Sequence, residues 1–364
     1  MKFIPISKPS ITKKEIAYVN DAVTSGWVSS LGEYIEKFEN QFAKFCNVKK
    51  AITVSSGTTG LHLAMEAMGI GPGDEVIIPD LTFIATANAI KYTGASVVTV
   101  DIEEETLCIC PKAIRKAVNK KTKAIIAVHL NGYPANMQLI NEIAKEFNLY
   151  LIEDAAEAHG AKFQDKIVGS LGTVGVFSFY GNKIITTGEG GMITTNDVNL
   201  SEKIIYLRDH AMSKSKRYWH TEVGFNYRMT NLQAALGVAQ LERIEELLNK
   251  RISIYERYYK NLSNIDFLRL NRISSSVEVS FWTICLEIND YNEIKRNLLM
   301  KKLREYNIDS RPYFYPISDM PMYQTTNTPV THELYQKGLY LPIFNDLKND
   351  EIDYVCDKII KLTK

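Results

Sequence analysis

The chain has 364 residues, long for one domain, and a large domain followed by a smaller one is expected. Hydrophobic residues make up 45%, enough for a sizeable core, and 43 Lys and Arg against 42 Asp and Glu leave a formal charge of +1. Such a balance excludes a globally basic nucleic-acid or membrane-surface protein, so any bound anion must be held locally.

The N-terminal MKFIPISKPSITKKE lacks the apolar stretch and cleavage site of a signal peptide. No stretch reaches the ~20 apolar residues of a membrane helix. Five scattered cysteines, Cys46, Cys108, Cys110, Cys285 and Cys356, suit a reducing compartment, and a cytoplasmic protein without a metal site is expected.

Short β-branched runs are predicted as strands at Ala51–Val54, Glu75–Ile78, Ser96–Asp101, Lys123–His129, Leu149–Asp154, Val174–Phe179 and Gly191–Thr195. Several are apolar on both faces, as strands covered by helices must be. Helical patterns lie between many of them; in Thr58–Met68 the residues Leu61, Met65 and Met68 share one face. The alternation predicts an α/β domain with a mostly parallel sheet. A long helical pattern follows from Asn231 to about Tyr259. The remainder reads as a small α+β domain with strands over Val277–Glu287 and helices at Tyr291–Glu305 and Asp350–Leu362. The expected domains are 1–250 and 251–364.

Three segments carry candidate chemistry. Ser56-Gly57-Thr58-Thr59 follows a strand and opens a helix. The free N–H groups and dipole of a helix start favour an anion there, although Ser and Thr are also ordinary N-caps. In Leu151-Ile152-Glu153-Asp154 an apolar strand ends in two acids, at the end where open α/β sheets place their sites. An aspartate there is suited to hold a protonated pyridine nitrogen; the plain alternative is a solvated strand-end acid. Lys183 sits among aromatic, apolar and glycine residues in FSFYGNKIITTGEGG. Burial lowers a lysine's proton affinity, and Schiff-base chemistry needs the neutral amine. The order of phosphate loop, strand-end acid and buried lysine points to pyridoxal phosphate (PLP).

The segments SSGTTGLHLAMEAMGIGPGDEVIIPDLTFIATANAI, IEDAAEAHGAKF, FSFYGNKIITTGEGGMITTND and GFNYRMTNLQAALGVAQLERI resemble the DegT family of nucleotide-sugar aminotransferases. The resemblance runs from about Trp27 to Arg251, with weaker echoes beyond. It implies the aspartate-aminotransferase fold, fold type I, with PLP as cofactor. It makes Lys183 the Schiff-base lysine and Asp154 the partner of the pyridine nitrogen. Ser56, Gly57, Thr58 and Ser178 fall to the cofactor phosphate, Phe83 to the ring face, and Glu157 to a place beside the ring. Asn226 would reach the phosphate of a neighbouring subunit, implying a homodimer with shared active sites.

TSGWVSSLGEYIEKFE, KRYWHTEVGFNYRMTN, VSFW and SRPYFYPISDMPMY resemble the branch that takes GDP-4-keto-6-deoxymannose and L-glutamate, aminating the sugar at C4 for surface polysaccharide such as O-antigen. Amination of another nucleotide-linked sugar, or at C3, is the alternative. Sugar dehydratases of the family carry His at the lysine position, which Lys183 disfavours, and a regulator without chemistry would not need Lys183, Asp154 and Ser178. The branch pattern HLYG reads HLNG here, with Asn131, and Ser318-Asp319 stand where a His is common. Candidate substrate residues are Trp27, Ser29, Ser30, Tyr218, Trp219, His220 and Arg311. Core packing competes for Trp27 and Trp219, and a structural role competes for His220. His62 and His129 read as structural. Arg208, Arg217 and Arg228 are open to ligand, partner or solvent.

Overall fold

The computed structural model describes residues 2–363. In chain order the helices are α1 (Lys13–Thr24), α2 (Glu33–Cys46), α3 (Gly57–Ala67), α4 (Ala85–Tyr92), α5 (Pro111–Ala117), α6 (Met137–Glu146), α7 (Val198–Arg208), α8 (Asn231–Leu241), α9 (Ile244–Leu262), α10 (Glu293–Glu305), α11 (Pro329–Lys337) and α12 (Asn349–Thr363). The strands are β1 (Lys50–Val54), β2 (Glu75–Pro79), β3 (Ser96–Val100), β4 (Thr122–Val128), β5 (Tyr150–Asp154), β6 (Lys162–Phe163), β7 (Lys166–Ile167), β8 (Val174–Ser178), β9 (Gly191–Thr195), β10 (Leu268–Leu270), β11 (Val277–Glu278), β12 (Ile284–Ile288), β13 (Arg311–Pro312) and β14 (Gly338–Leu341).

The first seven expected strands all form, each within about a residue of its expected bounds, and build one sheet in the order β1-β9-β8-β5-β4-β2-β3. The pairings β2–β3, β2–β4, β4–β5 and β5–β8 are parallel, whereas β9 runs antiparallel to both β1 and β8. This is the mostly parallel α/β sheet expected from the alternation, in the fold type I arrangement that the resemblance implies. Helices cover both faces, which is why Ile52, Ile125, Ile152, Val176 and Ile193 are buried. On one face, α2 sends Phe38 and Phe42 against Phe177 and Phe179, with ring centroids 4.9–5.5 Å apart. On the other, α3 lies so close that a Cβ on Gly60 would stand 2.9 Å from Val176 Cγ1.

A second sheet, β10-β12-β14-β13, is antiparallel throughout. The chain's start joins this region: Ile4 pairs with Ile308, and Ile343 donates its N–H to the Ile6 carbonyl at 2.9 Å. The boundary expected near Arg251 falls inside α9, which carries the chain from one sheet to the other.

One expectation is corrected. The helix expected from Asn231 to Tyr259 is two helices, broken at Glu242-Arg243, where Arg243 has φ −116° and ψ 10°. Ion pairs to α1 hold this corner: Arg243 Nη1 meets Glu15 at 2.7 Å and Glu242 meets Lys14 Nζ at 2.6 Å. Periodicity reads the stripe on each side but not long-range pairs between them. The strands expected over Val277–Glu287 are β11 and β12, separated by a turn in which Phe281 takes φ +49°. In the turn Val279 and Phe281 are buried and Trp282 lines a cavity rather than continuing a ladder.

Candidate active site

The carboxyl ends of the central strands open onto a cavity of about 450 Å³. It is lined by Ser56, Gly57 and Thr58 from the start of α3, Asp154 and Glu157 after β5, and Ser178, Tyr180, Asn182 and Lys183 after β8. Phe83, Thr86, Trp282 and Phe314 complete its wall. The structure thus gathers every cofactor-site residue expected from the sequence except Asn226.

Ser56 is an N-cap: its Oγ accepts the Thr59 N–H at 3.1 Å, and Thr59 Oγ1 accepts the Ser56 N–H at 3.0 Å. This reciprocal cap leaves Gly57 and Thr58 to present first-turn N–H groups to the cavity. Capping and anion binding are therefore compatible here. The turn tolerates no extra bulk: a Cβ on Gly191 would lie 2.6 Å from the Ser56 carbonyl carbon.

The two acids ending β5 separate by strand alternation. Asp154 faces the cavity, where its Oδ2 accepts from Thr86 Oγ1 at 2.8 Å and its Oδ1 from the Ala156 N–H at 3.2 Å. Burial pushes its carboxyl above the usual range, with Thr86, the Ala156 N–H and the Lys183 charge opposing. Glu153 faces away. Its oxygens accept the N–H groups of Gly169, Leu171 and Gly172, each at 2.7 Å, and meet His129 Nε2 at 3.0 Å.

Lys183 stands on a tight loop in which the Lys183 N–H donates to the Tyr180 carbonyl and the Thr187 N–H to that of Phe179, both at 2.9 Å. Its Nζ is 3.7 Å from Glu157 Oε1 and 4.3 Å from the centroid of the Trp282 ring. Burial lowers its proton affinity, with Glu157 and Asp154 opposing. Burial raises that of Glu157, against Lys183 and the Asn131 N–H. Both shifts favour the neutral forms, and a neutral amine is the nucleophile that a carbonyl cofactor needs.

Asn131, the departure at HLNG, takes φ +60°, a conformation asparagine tolerates, and its N–H donates to Glu157 Oε2 at 2.9 Å. The other departure is tied down: Ser318 Oγ donates to Asp80 at 2.7 Å, and Asp319 meets His332 Nε2 at 3.0 Å.

The proposed substrate residues divide. Arg311 lines a second cavity of about 400 Å³ that shares Thr82, Phe83, Asn182, Trp282 and Phe314 with the first. Trp27, Ser29, Ser30, Tyr218, Trp219 and His220 line neither of these two cavities; Trp27 lines a separate one with Gly32, Tyr34 and Asn231. Trp27 and Trp219 are exposed, so the core-packing reading fails for both. The Ser29 carbonyl accepts from the Asn231 N–H, and His220 Nδ1 meets the His210 carbonyl at 2.8 Å. Asn226 pairs by backbone with Asp209, outside the cavity. His62 and His129 have structural partners in Tyr227, Glu66 and Glu153. Arg208 is taken by Glu39 and the Thr53 carbonyl, Arg228 by Asp209, and Arg217 lies over Tyr218.

Sequence reading missed Thr86, Asn182 and Phe314 as wall residues, and used Trp282 only within VSFW. Asn182 and Thr86 lie beside Lys183 and Phe83 in the chain but carry no pattern that marks them, and Phe314 is brought in from a distant segment.

The residues present fit PLP. A small anion is matched by the glycine-lined helix start, a ring-nitrogen proton by the buried Asp154, and an aldehyde by the buried amine of Lys183. Together with the sheet order they define a fold type I PLP enzyme. The chain belongs to the DegT/DnrJ/EryC1/StrS aminotransferase family, whose model matches residues 9–360. It is 44% identical over 361 residues to the GDP-perosamine synthase of Escherichia coli O157:H7, covering 99% of this chain and 98% of that one. It is 42% identical to the GDP-perosamine synthase of Vibrio cholerae, covering 98% of each. A putative sugar aminotransferase from Streptococcus pneumoniae in its PLP form superposes with a TM-score of 0.94 at 26% identity, covering 99% of this chain and 98% of that one.

Proposed function

We propose that this aminotransferase moves the amino group of L-glutamate to C4 of GDP-4-keto-6-deoxymannose, giving GDP-perosamine. The observation that carries the reading is the buried Lys183–Glu157–Asp154 set facing one cavity, in a chain whose full-length relatives at 42–44% identity are GDP-perosamine synthases.

Bound PLP supplies an electron sink for negative charge at the amino-acid α-carbon. The N–H groups of Gly57 and Thr58, with the Ser56 and Ser178 hydroxyls, hold its phosphate. Phe83 covers the ring, and Asp154 holds the proton on the ring nitrogen. Lys183 Nζ is the base that would take the proton from the α-carbon of glutamate and, as an ammonium, give it up again to complete the transfer. In the second half of the cycle it moves a proton in the reverse sense, to C4 of the sugar. Glu157, aimed by the Asn131 N–H, stabilises the ammonium form of Lys183 between these transfers. The cavity bearing Arg311 receives the sugar nucleotide, whose diphosphate suits a guanidinium.

The active unit is a homodimer with shared sites. Trp27 is an exposed apolar side chain on a loop held by Asn231, and Tyr218, Trp219 and Val223 are exposed on the loop that leads to Asn226, surfaces suited to burial against a second copy. A homodimer puts the partner's Asn226 at the phosphate and brings Trp27, Ser29, Ser30 and His220 to the neighbouring sugar site. The protein works in the cytoplasm, and its product feeds a surface polysaccharide such as O-antigen.

The test is incubation of the PLP-loaded protein with glutamate and GDP-4-keto-6-deoxymannose, with the product identified by mass spectrometry and NMR. A 4-amino sugar is expected. Conversion of the cofactor spectrum by glutamate without a sugar product would overturn the substrate, and an unresponsive spectrum would overturn the donor.

A further inference from the structure

Trp282 enters the active site from the turn between β11 and β12, about one hundred residues after the lysine it touches. Its ring stands under the amine, with Lys183 Nζ 4.3 Å from the centroid. Its Nε1–H donates to the carbonyl of Asn182, the residue before Lys183, at 3.0 Å. One side chain therefore contacts both the reactive end of the lysine and the backbone from which it springs. Trp282 also lines both cavities, so its ring stands between the space beside Lys183 and the space beside Arg311.

The turn is held at a cost. Phe281 sits at φ +49°, a conformation unfavourable for an aromatic residue. Arg251 of α9, buried without a carboxylate partner among the described residues, donates Nη1 to the carbonyls of Phe281 at 3.2 Å and Trp282 at 2.9 Å. Burial lowers the Arg251 proton affinity to about 10. The ring of Tyr255, also on α9, stacks on Phe281 with centroids 4.1 Å apart. Gly132 leaves room for the turn, since a Cβ there would lie 3.0 Å from the Phe281 nitrogen. A buried guanidinium spent on two carbonyls fixes backbone and adds nothing that an apolar residue would not supply to packing.

We propose that Trp282 is a positioning residue for Lys183, carrying the charge of the ammonium on its indole face and fixing the Asn182 carbonyl through its N–H, with Arg251 as its anchor. The inference rests on Lys183 being the cofactor lysine. An aromatic face stabilises a cation without being able to take its proton. The other groups facing Lys183 are the carboxylates of Glu157 and Asp154 and the imidazole of His159, which burial keeps neutral by lowering it to about 3. Trp282 thus offsets the desolvation of the ammonium while leaving the proton on nitrogen for transfer.

The test uses protein loaded with pyridoxamine phosphate, in which Lys183 is a free amine. Trace acylation with a small amine-selective reagent across a pH series, read at the Lys183 peptide by mass spectrometry against the other lysines, gives the pH midpoint of that amine. Trp282→Leu is expected to lower the midpoint by about one unit. It should also cut kcat at least about tenfold, with the KM for glutamate changed less than about threefold. Trp282→Phe keeps a face and loses the N–H, so it should move the midpoint less and still lower kcat. Arg251→Lys should shift both in the same direction as Trp282→Leu, which keeps the question answerable if the leucine variant fails to fold. Wild-type midpoints and kcat in the folded variants would overturn the role. If Lys183→Ala retained turnover, the cofactor-lysine reading itself would fall, whatever the Trp282 variants did.

Discussion

Glu153 and Asp154 are consecutive residues with opposite tasks: Asp154 turns its carboxylate into the cavity, and Glu153 turns its own away to gather the N–H groups of Gly169, Leu171 and Gly172. Substitutions should separate the two. Asp154→Asn should weaken PLP affinity tenfold or more, a difference of about 1.4 kcal/mol, and leave the cofactor-free protein's stability unchanged. Glu153→Ala strands the buried Gly169 N–H, the part-buried N–H groups of Leu171 and Gly172, and His129, and should lower unfolding stability by about 3 kcal/mol or more. Denaturant titrations and spectroscopic PLP binding check both. Equal stability losses in the two variants would remove the distinction.

Lys183→Ala should abolish transamination and the absorbance of lysine-bound cofactor, while the start of α3 still retains PLP through its phosphate. Visible spectra and a glutamate assay decide the matter. A wild-type rate in the variant is the result that excludes Lys183 as the reacting amine.

Glu157→Gln removes the carboxylate that raises the proton affinity of Lys183 from 3.7 Å. Burial then acts with less opposition, so the pH at which the free Lys183 amine gains its proton should fall. The acid limb of the kcat profile should move to lower pH, and the amide should still accept the Asn131 N–H. An unmoved profile would mean that Glu157 is not electrostatically linked to the lysine.

Local chemistry made much of this legible in the sequence. The strands of the main sheet announce themselves as β-branched runs buried on both faces, and Ser56-Gly57, Asp154 and Lys183, which the fold gathers around one cavity, stand out by their immediate surroundings. Contacts between distant segments were invisible. Nothing near residue 282 shows that Arg251 pins its turn, and nothing in Asn231–Leu262 shows that α1 breaks the helix through Glu15 and Lys14. Trp27, Tyr218 and Trp219 could be named as candidates, yet one chain leaves them exposed.

Gly191→Ala tests the close approach behind the phosphate turn. The added Cβ would fall 2.6 Å from the Ser56 carbonyl carbon, on backbone that has no side-chain freedom to yield. The turn must shift, and PLP affinity should drop about tenfold or more. Gly181→Ala adds the same methyl where nothing lies within 4 Å, and should leave affinity near wild type. Comparable losses in both would point to loop flexibility instead of the contact at Ser56.

Glu15 supplies a pH dependence away from the site. Burial alone would raise its carboxyl, but hydrogen bonds from Thr12, Arg243 and Gln240 outweigh burial and hold it at about 2 in the folded chain. In the unfolded chain it titrates near its ordinary 4.5. Between these values the unfolded chain binds the extra proton, so the contribution is complete above about 4.5 and is lost as pH falls towards 2. Glu15→Gln lacks that titration. It should be less stable at pH 7, by about 1–2 kcal/mol after screening, and its stability should fall less steeply than wild type between pH 4.5 and 3.5. Urea unfolding at those three pH values measures both effects. Parallel curves for the two proteins would show that the Glu15 contacts with Arg243 and Thr12 contribute nothing that titrates.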